Sequence, residues 1–197
     1  MQLRMPTLEQ VRTVYDAHLK KAFPPEELRP LRSIETQWET GNYRPWCLFD
    51  DDDIVGECFL CLGEPGWAIL DYLCVSPRFR NAGLGALMLE MLREREPGLC
   101  FFGESEAPEH APDPELARRR LDFYARNGVK IAGYDTDIFG AHYKTLYWSD
   151  RDISDEELIR QHRLIYQRFV SPAKYAKYVH IPWDRSQPLT PKVPWTE

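Results

Sequence analysis

The stretch that decides the fold is residues 70–92, LDYLCVSPRFRNAGLGALMLEML. Residues 67–75 are almost continuously apolar, which predicts a strand covered on both faces. Ser76 and Pro77 end this strand, and Pro97-Gly98 ends the helix that follows the turn. The apolar positions of that helix recur at helical spacing and are Leu84, Leu87, Met88, Met91 and Leu92. The stretch therefore predicts a buried strand, a turn and a helix, in that order.

The turn between strand and helix combines small residues with positive charge. Gly83 and Gly85 have no side chains, and the unpaired N–H groups of a first helical turn carry the positive end of the helix dipole. A helix start of this kind binds phosphate groups. Arg78 and Arg80 add positive charge to a chain whose formal net charge is −6. We predict a phosphate-binding cradle formed by Arg80, Asn81, Ala82, Gly83, Leu84, Gly85 and Ala86.

Other phosphate-binding turns fit this segment less well. A P-loop requires Gly-Lys-Ser/Thr, but Gly85 is followed by Ala86. A dinucleotide-binding turn requires Gly or Ala at the position of Met88, although Glu104 and Glu106 stand at a suitable distance downstream. A dinucleotide-binding oxidoreductase and an ordinary strand-to-helix turn with chance glycines remain the alternatives.

Two motifs resemble the GNAT superfamily of acyl-CoA-dependent N-acetyltransferases. The segment Arg80–Ala86 is similar to the Arg/Gln-x-x-Gly-x-Gly/Ala signature of that superfamily, and residues 119–129, RRLDFYARNGV, are similar to its Arg-Arg-x-x-Phe-Tyr-x-x-x-Gly-Phe segment. The second motif departs from the family pattern at Val129, which replaces an aromatic residue. Ala117 stands where an Asn that holds the cofactor often occurs. The resemblance covers roughly residues 7–148.

The resemblance implies both a fold and an activity. The expected fold is α/β, with a mixed, mostly antiparallel central sheet, a splayed parallel strand pair and flanking helices. The expected co-substrate is acetyl-CoA, with its pyrophosphate on the cradle and its pantetheine paired to backbone groups of Leu73, Cys74 and Val75. Tyr124 is expected to protonate the departing thiolate, and a phenol with a pKa of about 10 is protonated at neutral pH.

Two carboxylates are candidates for the base. Residues 99–103 predict a short strand that a right-handed crossover makes parallel to the strand of residues 67–75. Glu104 and Glu106 follow it on one face, so either could take a proton from an amine. The alternative is that they belong to a solvated strand end and the polar loop after it.

The acceptor is expected to be a primary amine, either a small cationic amine or a lysine-bearing peptide. An acidic chain repels nucleic acid, so nucleic acid is not expected as a partner. Phe23, in the loop after the first helix, is either a wall of the acceptor site or a residue that fastens the loop to the core. A non-catalytic acyl-CoA-binding module is the rival from another functional class.

The chain is expected to fold as a catalytic domain of residues 1–150 and an extension of residues 151–197. The Pro- and aromatic-rich extension packs on the domain or on a partner subunit, which would give a homodimer. Five cysteines in apolar surroundings predict reduced core thiols, and Cys58 and Cys61 face opposite sides of a strand, so no metal site is expected. No apolar run approaches the roughly 18 residues of a membrane span, so a cytoplasmic protein is expected.

Periodicity and cap residues predict the flanking elements. Helices are expected over residues 7–23, with Thr7 as the cap, over residues 25–40, and over residues 114–127, with Asp113 as the cap. The inward side chains of the third helix are expected to be Leu116, Leu121, Phe123 and Tyr124. Strands over residues 46–49 and 54–62 flank an Asp-rich hairpin turn, residues 130–148 hold the last strands, and a further helix starts after Ser154.

Overall fold

The computed structural model of the protein describes residues 1–195, so the end of the predicted extension lies outside the described residues. The strands are β1 (Gln2–Arg4), β2 (Tyr43–Asp50), β3 (Asp53–Leu62), β4 (Trp67–Val75), β5 (Cys100–Glu106), β6 (Lys130–Ile138), β7 (Ala141–Trp148) and β8 (Val179–His180). The helices are α1 (Leu8–Val14), α2 (Lys20–Ala22), α3 (Leu31–Glu39), α4 (Leu84–Arg95), α5 (Pro114–Arg126), α6 (Asp155–Phe169) and α7 (Pro172–Tyr178). A π-helical segment (Tyr15–Leu19) joins α1 to α2, and a 3-10 turn (Pro77–Phe79) precedes α4.

These elements group into two compact units. The first comprises Met1–Leu62 and Leu70–Pro97 together with Pro194 and Trp195, and the second comprises Gly63–Ile69 and Gly98–Val193. Strand β4 contributes its first three residues, Trp67–Ile69, to the second unit and the rest to the first.

In the first unit the strands follow the order β1-β2-β3-β4. Both β1 and β3 pair with β2 in antiparallel fashion, and the register Asp50↔Asp53 closes the predicted Asp-rich hairpin. Asp51 adopts φ 51°, a left-handed conformation that Asp tolerates better than most residues. The predicted cap of the first helix is confirmed, because the Thr7 side chain accepts from the N–H of Gln10 in a complete capping box. The core of this unit consists mainly of Val11, Leu19, Ile34, Leu48, Phe59, Met88 and Leu92.

In the second unit the strands follow the order β4-β5-β7-β6-β8. The start of β4 pairs in parallel with β5, from Trp67↔Cys100 to Ile69↔Phe102. The other pairs of this unit, β5 with β7 and β6 with β7 and β8, are antiparallel. This mixed, mostly antiparallel arrangement with a parallel pair and flanking helices confirms the predicted fold class.

Helix α6 shows how closely a helix packs on this second sheet. Its apolar residues Leu158 and Ile165 are buried, and Phe169 is partly exposed. A Cβ at Gly63 would lie 2.6 Å from the side chain of Ile165, so glycine at this position permits the close approach. The Asp113 and Ser154 side chains accept from backbone N–H groups of α5 and α6, as their sequence positions predict.

Within residues 1–195, none of the helices combines the length and apolar character that a membrane crossing requires. In the same range no group of three or more His, Cys, Asp or Glu side chains could hold a metal ion. All five cysteines are buried and free, which confirms the predicted core thiols.

The predicted helix over residues 25–40 is wrong in its first part. Residues 25–27 form a turn, and α3 begins only at Leu31. Proline at position 30 explains the difference. Its ring would clash with the carbonyl of Glu26 inside a helix, and it disfavours the helical conformation of Arg29, so Pro30 marks the start of the helix.

The prediction that β4 is covered on both faces holds only for its first residues. Trp67, Ala68 and Ile69 are buried, but Leu70 is partly exposed, and from Asp71 onward partly exposed and buried side chains alternate. Tyr72 and Cys74 lie on the covered face, while Leu73 and Val75 on the other face are partly open. The apolar composition of these residues did not reveal this open face.

One further strand boundary and one buried position differ from the predictions. Strand β5 continues through Glu104 to Glu106, because β7 pairs with it along its whole length. Leu116, predicted to face inward, is 38% exposed, and Ala117 is the buried residue of that turn of α5.

Candidate functional site

The first unit holds the predicted phosphate cradle at the start of α4. Gly83 adopts φ +77° at the N-cap, and Asn81 adopts φ 65°, so the chain makes a sharp left-handed turn into the helix. The first backbone bond of the helix runs from the N–H of Leu87 to the carbonyl of Gly83. The N–H groups of residues 84–86 therefore have no i−4 carbonyl within the helix to which they could donate. No side chain caps this end, and a Cβ at Gly83 would meet nothing within 4 Å.

Positive charge surrounds this open helix start. Arg78 and Arg80 are both exposed, and the Arg80 Nε donates to the carbonyl of Val75 over 3.4 Å. This hydrogen bond ties Arg80 to the end of β4. The dipole of α4 and two guanidinium groups therefore favour an anion at the same place.

The strand that leads to the cradle presents two kinds of side chain. Leu73 and Val75 are partly exposed on one face, and Cys74 is buried on the other. Burial, with the Glu57 carboxylate nearby, raises the pKa of Cys74 to about 12. The Cys74 thiol is therefore protonated at neutral pH and is a poor nucleophile.

A histidine–glutamate pair, in which Glu57 is buried and His18 is partly exposed, lies close to Cys74 in the same unit. The His18 Nδ1 lies 2.5 Å from the Glu57 Oε1, and the Glu57 side chain is 0% exposed. Burial raises the pKa of Glu57, while its hydrogen bond with His18 opposes that shift. His18 belongs to the π-helical segment, a distortion that often occurs at functional sites.

The loop between α2 and α3 is fastened by an ion pair. The Arg29 Nε and Nη2 lie 3.1 and 3.3 Å from the two oxygens of Asp71, and the Tyr43 hydroxyl donates to Asp71 over 2.7 Å. Phe23 packs edge-on against Tyr72, with ring centroids 4.9 Å apart. The structure thus places Phe23 against the core of its own unit, beside a loop held by buried charge.

The second unit holds Tyr124 on α5. Its ring is partly exposed and meets Phe123 edge-on at 5.2 Å. Within residues 1–195 the Tyr124 hydroxyl makes no hydrogen bond to another group. Burial raises the pKa of Tyr124 to about 12, so the hydroxyl keeps its proton at neutral pH. The Tyr124 hydroxyl is therefore protonated and available to donate a hydrogen bond or a proton to a ligand.

The two candidate carboxylates of β5 have different partners in the second unit. Glu104 accepts from the Tyr166 hydroxyl over 2.5 Å and from Thr136 over 3.3 Å. Glu106 accepts from Arg120 over 2.7 Å. Arg120 is one helical turn from Tyr124 on α5, so this contact joins the end of β5 to the helix that carries the tyrosine.

Sequence reasoning missed the His18–Glu57 and Arg29–Asp71 pairs. Their members are 39 and 42 residues apart, and no motif connects them. One signal was available: Glu57 and Asp71 each interrupt an apolar strand. A buried carboxylate in such a strand requires a hydrogen-bonded or charged partner.

The sequence matches a family model described as an acetyltransferase (GNAT) domain over residues 41–131. This range contains both β4 with the cradle and α5 with Tyr124. No curated protein sequence matches the chain.

Solved structures extend the similarity beyond that range. A GNAT-family protein from Bacteroides thetaiotaomicron is 25% identical, with a TM-score of 0.68, and the match covers 86% of this chain and 98% of that one. The ribosomal-protein-S18-alanine N-acetyltransferase of Escherichia coli is 13% identical, with a TM-score of 0.59 over 78% of this chain and 96% of that one. An aminoglycoside 6′-N-acetyltransferase complexed with coenzyme A is 14% identical, with a TM-score of 0.61 over 78% and 99% of the two chains. The last two share the fold.

Proposed function

Because the chain belongs to the GNAT superfamily of acetyltransferases, we propose that it transfers the acetyl group of acetyl-CoA directly to a primary amine. The observation that carries this proposal is the open, uncapped start of α4. Its N–H groups of residues 84–86, the bare backbone of Gly83 and the guanidinium groups of Arg78 and Arg80 suit a diphosphate. Acetyl-CoA supplies the activated acetyl group as a thioester.

The residues of β4 would bind the pantetheine part. The partly exposed side of β4 at Leu73 and Val75 supports pairing of an extended ligand with backbone groups, as when a strand is added to a sheet. Cys74 has no covalent role in this proposal, because its thiol is buried and protonated. The amine therefore attacks the thioester directly.

Tyr124 would act as the general acid. Its raised pKa and its hydroxyl without a partner support proton donation to the thiolate of coenzyme A as the C–S bond breaks. Glu104 or Glu106 would accept the proton that the nitrogen loses once it has bonded to the acetyl carbon. Their hydrogen bonds to α6 and α5 hold them in fixed positions but do not decide between them.

The acceptor class follows from charge and from the related structures. An acidic chain attracts cationic amines, and two structural neighbours carry names of enzymes that acetylate amines on a ribosomal protein and on an aminoglycoside. We infer that the acceptor of the acetyl group is a small amine or a lysine-bearing peptide. The five free thiols agree with a reducing compartment such as the cytoplasm.

Substitution of Gly83 by Ala tests the cradle. The new Cβ would point into space that is open in the protein but needed by the diphosphate, and we expect the Kd of acetyl-CoA to rise about thirtyfold, equivalent to about 2 kcal/mol. Isothermal titration calorimetry measures this change.

Gly41→Ala is the matched control for this test. Gly41 has φ +76° and follows α3 in the same unit, and a Cβ added there would meet nothing within 4 Å. Both variants should lose a similar amount of stability, about 1–3 kcal/mol, from the left-handed backbone. Equal acetyl-CoA affinity in the two variants would refute the cradle, and stabilisation of the protein by NADH instead of acetyl-CoA would refute the acetyltransferase proposal.

A further inference from the structure

A line of three titratable side chains crosses the sheet of the second unit. Asp135 on β6 and His142 on β7 are both buried, and the Nε2 of His142 lies 2.9 Å from the Asp135 Oδ2. The Nδ1 of His142 lies 2.8 Å from the Nδ1 of His110, which is exposed in the loop after β5. The line therefore runs from a buried carboxylate to an imidazole at the surface.

The hydrogen-bond directions in this line follow from the charges. Although burial opposes the shift, hydrogen bonds from His142 and Lys144 lower the pKa of Asp135, so the carboxylate is ionised and only accepts. The Nε2 of His142 must therefore donate. Burial lowers the pKa of His142 against the opposite effect of Asp135, so its ring is neutral at pH 7 and its Nδ1 accepts.

The hydrogen bond between the two rings also determines which nitrogen of His110 donates. Its Nδ1 must donate to His142, which leaves the Nε2 of a neutral His110 as a free acceptor. A proton gained at Nε2 places positive charge on an imidazole that is connected through His142 to the Asp135 carboxylate. This arrangement resembles the way a buried aspartate orients and stabilises the base in a catalytic triad.

A cavity of about 410 Å³ borders this imidazole. It is lined by Glu109, His110, His142, Trp183, Arg185 and Leu189, among others. The Trp183 ring packs against His142 and His110, with centroids 4.7 and 6.0 Å apart. The cavity is large enough for a small organic molecule and has an aromatic wall beside the base.

The charges around the cavity are balanced. Lys144 lies 3.0 Å from Asp135 and 3.2 Å from Glu109, and Arg185 lies 2.5 Å from Asp135. Two cations thus offset two carboxylates, which leaves no surplus negative charge to attract a polycation. An amine with one cationic group and an apolar body fits this lining better than a polyamine does.

We propose that His110, oriented by His142 and Asp135, takes the first proton from the acceptor ammonium, and that the cavity beside it binds the apolar body of a monoamine. This inference rests on the proposed acetyl transfer and names its acceptor class. The nitrogen of an ammonium loses two protons on becoming an amide. His110 Nε2 takes the first and releases it to water. The carboxylate of Glu104 or Glu106 takes the second, Tyr124 gives its own proton to the thiolate of coenzyme A, and the proton held by the carboxylate returns through water to Tyr124.

The His110→Ala variant tests the proposal, with release of free thiol from acetyl-CoA measured against 2-phenylethylamine between pH 7 and pH 10. We expect kcat/KM to fall about a hundredfold at pH 7. The loss should shrink below about tenfold at pH 10, because a growing share of an amine with a pKa near 10 is then already neutral. Acetyl-CoA affinity should not change, and wild-type kcat/KM should be at least about tenfold higher for 2-phenylethylamine than for spermidine.

His180→Ala is the matched control, because His180 also pairs with an aspartate of β6, Asp137 at 3.4 Å, but does not line this cavity. It should keep the wild-type rate and pH profile. A His110→Ala variant with an unchanged rate, or with a loss that does not depend on pH, overturns the role of His110, and a preference for spermidine overturns the acceptor class. A wild-type protein that binds acetyl-CoA but releases no thiol with any amine overturns this inference and the proposed catalysis, while the cradle stands.

Discussion

A Tyr124→Phe variant is expected to lower kcat for acetyl transfer about a hundredfold and to leave the Kd of acetyl-CoA unchanged. The variant removes only the hydroxyl, and within residues 1–195 that hydroxyl holds no other group in place, so the fold should not be affected. The proton that the thiolate needs must then come from water. Steady-state measurement of thiol release, with acetyl-CoA binding measured in parallel, separates the two parameters.

Tyr147→Phe provides the control for Tyr124. Tyr147 is another partly exposed tyrosine of the second unit, on β7. Its replacement should leave kcat within about twofold, as expected for a surface change away from special features. If Tyr124→Phe kept the wild-type kcat, or if it lost acetyl-CoA binding together with activity, Tyr124 would not be the general acid.

An Asp71→Asn variant is expected to destabilise the protein by about 3–5 kcal/mol. The Arg29 side chain is 3% exposed and Asp71 12%, so the substitution leaves a buried guanidinium charge without the Asp71 carboxylate. Burial lowers the pKa of Arg29, while Asp71 and its other neighbours together raise it well above its ordinary value. A guanidinium does not lose its proton in proteins, so the arginine of the variant cannot escape the cost by becoming neutral. Urea-induced unfolding measures the change in the free energy of unfolding.

The double variant Arg29→Met/Asp71→Asn separates charge from packing. The double variant has an apolar side chain at position 29 and no buried charge that lacks this carboxylate. Replacement of a buried ion pair by uncharged side chains often changes the free energy of unfolding little, so stability should recover to within about 2 kcal/mol of wild type. A double variant as unstable as the single one would show that the loop depends on shape and hydrogen bonds instead of on the buried charge pair.

The sequence could predict the features that depend on local residue types. The anion-binding helix start could be predicted because it depends only on neighbouring residues. Gly83 and Gly85 leave the backbone N–H groups accessible, and Arg78 and Arg80 add positive charge beside them. The caps at Thr7, Asp113 and Ser154 were predictable for the same reason, since a cap needs only a side chain and an N–H three residues away.

Features that depend on distant partners could not be predicted in this way. Apolar composition predicted β4, but whether Leu73 and Val75 are covered depends on elements far along the chain. The line from Asp135 to His110 needs a hairpin register and a loop to bring three residues together, and no motif connects these residues in the sequence. The prediction of a helix from Pro25 was wrong for a local reason. The proline and acidic residues at 25–27 suggested a helix start, but Pro30 prevents a helix from running through this segment.

The most direct test of the account is a crystal structure of the protein with coenzyme A. We predict that the pyrophosphate lies within hydrogen-bonding distance of the N–H groups of residues 84–86, with the Arg78 or Arg80 guanidinium beside it. A pyrophosphate bound elsewhere on the protein, with the start of α4 left to solvent, would contradict the account.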